Sequence, residues 1–408
     1  MSDILDVISS PSLDESISRI ELQTLNPSNP NALNNNDIIH FSMNQADMLP
    51  YLPKSYFLIS GRLAKSSAEG ALSAPSATNR FANGGILHLF NRIELRMNNS
   101  LLQSVNEPGK TCLVRLMTTY NDWNIRHLQL MGLDESLGME DDGSFHNVVI
   151  PFKVFFSFGE DFRRVLINPK LEILLTRART DDNAIYQTAA ENYSLKISKI
   201  QFRIPFVQVD DVHRLKLLKI IDKDRALPIA FRSWDLYQYP ELPASTKHTW
   251  SIKTSTQIEK PRYVVVFFQT GRMDDKSKNA CKFDHCDLRN IQLYLNNMPY
   301  PYESYDQSFS KNNFAIFYHA YCEFSSTYNG LRETSPYLRL KTFKSDAPLF
   351  IINCERQKET LKYGPVDVRL EFEANAAFPA NTTASCIIIH DTIYQYNPLS
   401  GVIKKYEG

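Results

Sequence analysis

The side chains best equipped for chemistry crowd into one loop. Cys281, His285 and Cys286 stand within six positions, and His319 and Cys322 follow later in the chain. Thiolate and imidazole groups are the usual ligands of structural zinc, four of them in a tetrahedral set. The spacing Cys281-x3-His285-Cys286 matches no regular two-plus-two pattern, and adjacent His285 and Cys286 are awkward partners for one ion. The cluster therefore reads as a half-buried loop, and no metal ligand is assigned. Asp284-His285 has the composition of an acid/base pair. Neighbours on a strand point to opposite faces, so a direct contact is not expected, and no catalytic residue is assigned.

Other charged and aromatic groups admit a functional reading beside a plainer one. Glu140-Asp141-Asp142 and Asp181-Asp182-Asn183 have oxygen ligands for a divalent cation at a subunit contact; their composition fits solvated loops better. His213, Arg214, Lys216 and Lys219 have the charge to face nucleic acid, but their spacing is that of the solvent face of an amphipathic helix. Trp123, Trp234 and Trp250 read as core or interface anchors. Tyr300, Tyr302 and Tyr305 would suit a sugar-stacking loop. No GxSxG, HExxH, P-loop or GxGxxG occurs, and Asn83-Gly84-Gly85 is a turn signal. The nine histidines are dispersed with no His-x-His pair, which disfavours a cupin-type metal enzyme. No cofactor is expected.

Which elements carry these residues follows from length and composition. A chain of 408 residues exceeds one ordinary core and predicts about two domains. The 45 basic and 45 acidic residues cancel, so no global field draws the protein to nucleic acid or to an anionic membrane. Tyr and Phe are frequent and Gly is rare; with paired asparagines at turn positions this predicts a mainly β protein. The six scattered cysteines predict reduced thiols. No apolar run is long enough to span a bilayer, and the acidic N-terminus lacks signal-peptide character.

The stretch 262–300 is present twice in outline. SYFLISGR at 55–62 parallels RYVVVFFQ at 262–269, and NRIELRMNNS at 91–100 parallels RNIQLYLNNM at 289–298. Ile93/Ile291, Leu95/Leu293, Met97/Leu295 and both Asn-Asn pairs fall in register. From Tyr56 to Ile93 is 37 positions and from Tyr263 to Ile291 is 28; the excess lies in an Ala/Ser-rich loop, where insertions are cheap. Strands are predicted at 38–42, 55–63, 86–95, 101–105, 146–156, 171–178 and 193–209, with a helix near 110–120. The second half repeats the plan with strands at 228–237, 249–256, 263–269, 290–295, 348–354, 366–372 and 385–393, and a helix over 309–324. Asp210-Asp211 opens a linking helix. The fold class is thus mainly β: two tandem eight-stranded jelly-roll sandwiches with short inserted helices. Expected boundaries are a flexible arm at 1–37 with a short helix near 13–24, a first roll at 38–209, a linking helix at 210–224, a second roll at 225–396 and a tail at 397–408.

Several segments carry a family likeness. PKSYFLISGRL at 53–63, ILHLFNRIELRMNN at 86–99, FGEDFRRVLINPKLEILLTRA at 158–178, LPIAFRSWDLYQYP at 227–240, EKPRYVVVFFQT at 259–270, FDHCDLRNIQLYLNN at 283–297 and PVDVRLEFEANAAFPANTTASCIIIHD at 365–391 resemble the double jelly-roll major capsid proteins. The likeness is to those of small eukaryotic DNA viruses and of virus-like transposons of the Polinton and adintovirus kind. It implies a non-enzymatic shell protein of the virion, made in the host cytoplasm or nucleus. It further implies self-association as a homotrimer, a pseudo-hexameric capsomer that tiles an icosahedral shell. Neighbouring capsomers, penton and minor capsid proteins would be partners, and the N-terminal arm would lie inside. The alternative is a carbohydrate- or receptor-binding tandem β-sandwich.

Overall fold

The computed structural model describes residues 16–44, 48–66, 72–73, 80–121, 126–133, 139–140, 143–187, 193–252, 260–331, 335–356 and 366–406. Sixteen principal strands form four sheets. In the first half they are β1 (Ile17–Leu25), β2 (Ile38–Asn44), β3 (Tyr56–Ser66), β4 (Phe90–Met97), β5 (Ser100–Asn106), β6 (Ser144–Pro151), β7 (Lys170–Arg177) and β8 (Tyr193–Val209). The second half contributes β9 (Leu227–Tyr239), β10 (Lys247–Ile252), β11 (Pro261–Thr270), β12 (Leu288–Leu295), β13 (Met298–Tyr300), β14 (Phe350–Asn353), β15 (Val368–Ala374) and β16 (Thr382–Tyr396). All pairings between them are antiparallel. The first half builds sheets of order β1-β8-β3-β6 and β2-β7-β4-β5. The second builds β9-β16-β11-β14 and β10-β15-β12-β13. Adding eight to each strand number turns one half into the other, so the duplication is topological and complete.

Each pair of sheets closes over aromatic side chains, as the alternation of apolar residues requires. In the first roll Phe57 of β3 packs tilted at 4.7 Å against Phe202 of β8 and meets Phe41 of the facing sheet at 6.0 Å. In the second, Phe268 of β11 meets Phe372 of the facing sheet at 5.4 Å and Phe350 of β14 at 5.8 Å. β7 and β15 alternate strictly between core and surface. By contrast β11 from Val264 to Gln269 is buried on both faces, which is why it reads as an unbroken apolar run. Helix α1 (Pro108–Thr119) follows β5, α2 (Asp211–Asp222) joins the rolls, and α3 (Ala315–Asn329) follows β13.

The paired asparagines do the same work in both halves. Asn98 (φ 48°), Asn99 (φ 65°), Asn296 (φ 46°) and Asn297 (φ 72°) all occupy the left-handed region that a two-residue hairpin needs. The first Asn of each pair also clamps the neighbouring strand. Asn98 N donates to Lys170 O at 2.8 Å and Lys170 N donates to Asn98 Oδ1 at 2.8 Å. Asn296 N donates to Asp367 O at 3.0 Å and Asp367 N donates to Asn296 Oδ1 at 2.8 Å.

Four expectations are corrected. Residues 17–25 are neither flexible arm nor helix. They pair with β8 from Ile17 opposite Val209 to Leu25 opposite Phe202, so the first roll begins at 17 and not 38. The mixed sequence of this segment suits helix or strand, and the open edge of the 17-residue β8 decides it. The strand predicted at 146–156 ends at Pro151, whose missing N–H stops the ladder, and Phe152–Phe155 turn helically into the core. The helix predicted at 309–324 starts only at Ala315, because Ser308 and Asn313 exchange two backbone hydrogen bonds that close a turn around Phe309. The 397–408 tail is largely integrated: Ile403–Lys405 add a short strand to β16, and Asp224 Oδ1 accepts from the amides of Leu399 and Ser400. The arm residues 1–15 and the 253–256 end of a predicted strand lie outside the described residues.

Asn98→Val and Asn296→Val should each cost about 1–3 kcal/mol, since a β-branched residue resists positive φ and the side-chain clamp is lost. Asn296→Gly should cost less than Asn296→Val. Urea unfolding checks the order.

Candidate functional site

Asp284, His285 and Cys286 lie on a cleft, a hollow of about 730 Å³ shared with Phe283, Phe314 and Lys344. Each is already committed to structure. Asp284 Oδ2 accepts from Thr270 N at 2.8 Å and Arg272 Nε at 2.9 Å, and its Oδ1 accepts from Arg272 Nη2 at 2.6 Å. His285 Nδ1 accepts from Asp287 N at 2.9 Å, and its ring stacks flat on Phe309 at 4.8 Å. Burial holds the imidazole below its usual pKa and so neutral. Burial, then the Asp284 charge, pushes the Cys286 thiol up to about 12; burial alone takes Cys281 to about 12. Protonated thiols are poor nucleophiles and poor ligands. Cys322 is half-buried beside Tyr318 on α3 and His319 is exposed. Among the described residues no His, Cys, Asp and Glu group could hold a metal ion.

The remaining candidates are also accounted for. Asp181 accepts twice from Arg177 Nη2, at 2.9 and 3.1 Å, and Asp182 pairs with Lys276 Nζ at 3.1 Å. Asp274 N donates to Asn183 Oδ1 at 2.7 Å. This patch is therefore a strut from the first roll to the 271–278 loop of the second. Glu140 lies 3.5 Å from His146, while Asp141 and Asp142 lie outside the described residues. Trp234 and Trp250 are buried anchors, edge-on to Tyr328 and Tyr239; Trp123 lies outside the described residues. Tyr302 is 85 % exposed, but Tyr305 is half-buried edge-on to Phe317 and Tyr300 packs against the core, so the three form no common stacking face. Arg214, Lys216 and Lys219 are exposed on α2.

What the residues converge on is the seam between the rolls, which sequence reasoning did not find. Arg232 of β9 reaches the turn after β6. Its N and Nε donate to Asp161 Oδ2 at 2.8 and 3.0 Å, and its Nη2 donates to Asp161 Oδ1. Nη1 donates to Tyr328 O of α3 at 2.7 Å, and the guanidinium lies 3.6 Å over the Tyr328 ring. Ser157 Oγ donates to Arg232 O and itself accepts from Gln103 Nε2 at 2.8 Å. Beneath this clamp the fully buried Arg115 of α1 donates through Nη2 to Lys153 O at 2.6 Å and to Val154 O. Burial raises the Glu160 carboxyl above its usual range against the pull of Arg115.

Hydroxyls and amides extend the seam along its length. Tyr321 Oη donates to Met117 O at 2.7 Å and accepts from Leu338 N at 2.9 Å. Asn329 Nδ2 donates to Thr119 O at 2.8 Å, and Tyr396 Oη lies 2.8 Å from the carbonyl oxygens of Ile167 and Asn168. Asn98 Nδ2 donates to Gly401 O at 2.9 Å, so the first-roll hairpin also holds the tail. The apolar core runs through this contact as one continuous cluster. The only signal in the sequence was FGEDF at 158–162, a charged pair inside an aromatic run.

Two complete jelly rolls locked into one block define a double jelly-roll protein. The chain belongs to the double jelly-roll-like domain family, whose model matches residues 80–394. Among solved structures, a chain of the Sputnik virophage superposes with TM-score 0.61 at 9% identity, over 99% of this chain and 92% of that one. The Faustovirus major capsid protein gives 0.57 at 9% identity over 95% and 92%, and the mavirus major capsid protein 0.56 at 11% over 98% and 92%. No curated protein matches by sequence. Among the described residues no helix is long and apolar enough to cross a membrane.

Arg232→Ala should destabilise the protein by about 3–5 kcal/mol, because it strands the Asp161 carboxylate in a mostly buried site. Asp161→Asn should cost less, since the amide oxygen still accepts. Thermal unfolding reports both. Separately, a chelator should leave the melting temperature unchanged, and Cys286 should resist a thiol reagent at pH 8 in the folded state. Stoichiometric zinc, or rapid labelling of Cys286, would contradict the assignment of the cleft.

Proposed function

We propose that the chain is a major capsid protein, a non-enzymatic building block of a virion shell. The observation that carries this reading is the repetition of one sheet topology, fused by a buried seam into a single block. A shell subunit must keep its shape under load from its neighbours, and a seam of buried charge, aromatic packing and hydrogen bonds resists hinge motion between the rolls. Asp284 and His285 are engaged within the second roll, and Asp182 and Asn183 link the rolls, which suits a protein with no reaction to perform. The family relationship and the likeness to the virophage and Faustovirus proteins support the same role.

The assembly that fits is a homotrimer. Three blocks of two similar rolls place six sandwiches around one axis and approximate a hexagon, a shape that tiles an icosahedral face. A three-fold contact joins different surfaces of adjacent copies. Neighbouring capsomers, and penton and minor capsid proteins at vertices and seams, are the partners expected of such a tile, and the virion is its location. Balanced charge limits repulsion between many copies. The carbohydrate-binding alternative loses its aromatic platform with the separation of Tyr300, Tyr302 and Tyr305.

Purified protein should elute as a trimer by light scattering and show hexagonal particles, sheets or shells in negative stain on concentration. A monomer at all concentrations, with no assemblies, would overturn the reading.

A further inference from the structure

Charge balances over the whole chain, yet one hollow at the junction of the rolls gathers a single sign. Its volume is about 400 Å³, inside the roughly 300–1,000 Å³ range of small-ligand pockets. The first roll supplies Arg80 and Tyr186, register partners in a two-stranded ribbon of Arg80–Phe81 against Ile185–Tyr186. The second supplies Arg272, Lys278 and Lys282 from the loop after β11. Struts hold the two walls together. Besides the Asp182–Lys276 and Asn183–Asp274 links, Gln187 N donates to Lys276 O at 2.9 Å.

Four cations thus meet in one concavity, and among the described residues no carboxylate lines it. Two of the four are matched from outside. Arg272 gives Nε and Nη2 to Asp284, which leaves Nη1, and Lys282 Nζ pairs with Asp346 Oδ1 at 2.7 Å. Arg80 and Lys278 make no side-chain hydrogen bond or ion pair among the described residues. Asp275 lies near Lys278, but its Oδ1 accepts from Ser277 N and Oγ at 2.9 and 2.6 Å. The Lys278 ammonium is folded over the turn at Gly271 (φ 50°), where an added Cβ would stand 3.1 Å from its Nζ. Tyr186, Asn279 and Ser345 add neutral donors to the lining. Asn279 Oδ1 accepts from Cys281 N at 2.8 Å, so its Nδ2 is the group left to donate.

Guanidinium forks and ammonium groups with no acidic acceptor among them match phosphate oxygens and repel cations. The 45 basic and 45 acidic residues leave no net field to hold a long polyanion beyond the hollow. We propose that this hollow binds a short chain of phosphate groups, free or as the phosphate tail of a nucleotide, with Arg80 and Lys278 as its principal contacts. Because each roll contributes one of these two cations, the bound anion adds a charged link across the junction. The site goes beyond the capsid reading and does not depend on it.

Isothermal titration calorimetry of the full chain at low salt tests this with two probes, inorganic tripolyphosphate and ATP. Both should bind stoichiometrically, more weakly as salt is added, and both should raise the melting temperature. Equal affinities assign recognition to the phosphates alone and tighter ATP binding assigns the ligand to nucleotides; either supports the site. Arg80→Gln and Lys278→Gln should each weaken binding roughly tenfold or more, as loss of a charge-assisted hydrogen bond requires. Neither should change the melting temperature of the unliganded protein, since neither side chain has a partner to lose. Lys341→Gln, outside the hollow, should bind as the wild type does. No binding at millimolar probe, or affinity that neither hollow variant alters, would overturn the proposal. So would duplex DNA that binds and is not displaced by tripolyphosphate, because an extended backbone would then be the ligand.

Discussion

The two rolls are pinned to each other most densely at Arg232. Its guanidinium is gripped by Asp161 from the first roll and by Tyr328 from α3, and its backbone carbonyl by Ser157. A half-buried charged group is held best when its donors are matched, and a partial match costs stability. The clamp therefore acts as a register pin: a small rotation of one roll against the other would break several charge-assisted bonds together. Below it Arg115 is capped by carbonyls of the 152–155 turn, and that turn exists because Pro151 ends β6 early.

A consequence is that groups with catalytic potential are spent as struts. Asp284 anchors Arg272, Asp181 and Asp182 hold Arg177 and Lys276, and His285 serves as a flat packing partner for Phe309. Their pKa directions report packing. Thiols are held protonated and the imidazole neutral because burial disfavours charge. The same physics that removes reactivity gives a stiff wall.

The two rolls share topology but not environment. β16 is covered on both faces over most of its length, whereas its counterpart β8 alternates buried Ile197 and Ile200 with exposed Lys196 and Lys199 before its buried stretch from Ile204 to Val207. Duplication has kept what pairing geometry demands, the antiparallel order and the asparagine clamps. It has let surface chemistry and loops diverge, where substitution is cheap.

From the sequence alone came the β class, the two-fold repetition, the linking helix with its Asp210 cap, and the turns at Asn98 and Asn296. These are local properties: alternation, positive-φ residues and capping side chains act within a few positions. The 17–25 strand was not legible, because a distant partner, the open edge of β8, chooses it over a mixed local propensity; the turn at Phe152 and the delayed start of α3 follow from local features, Pro151 and the Ser308–Asn313 turn, that apolar patterning overrode. The seam was least legible of all. Arg232, Asp161 and Tyr328 are far apart in the chain, and only the tertiary structure brings them within hydrogen-bonding distance, where low dielectric turns three ordinary side chains into the joint between the rolls.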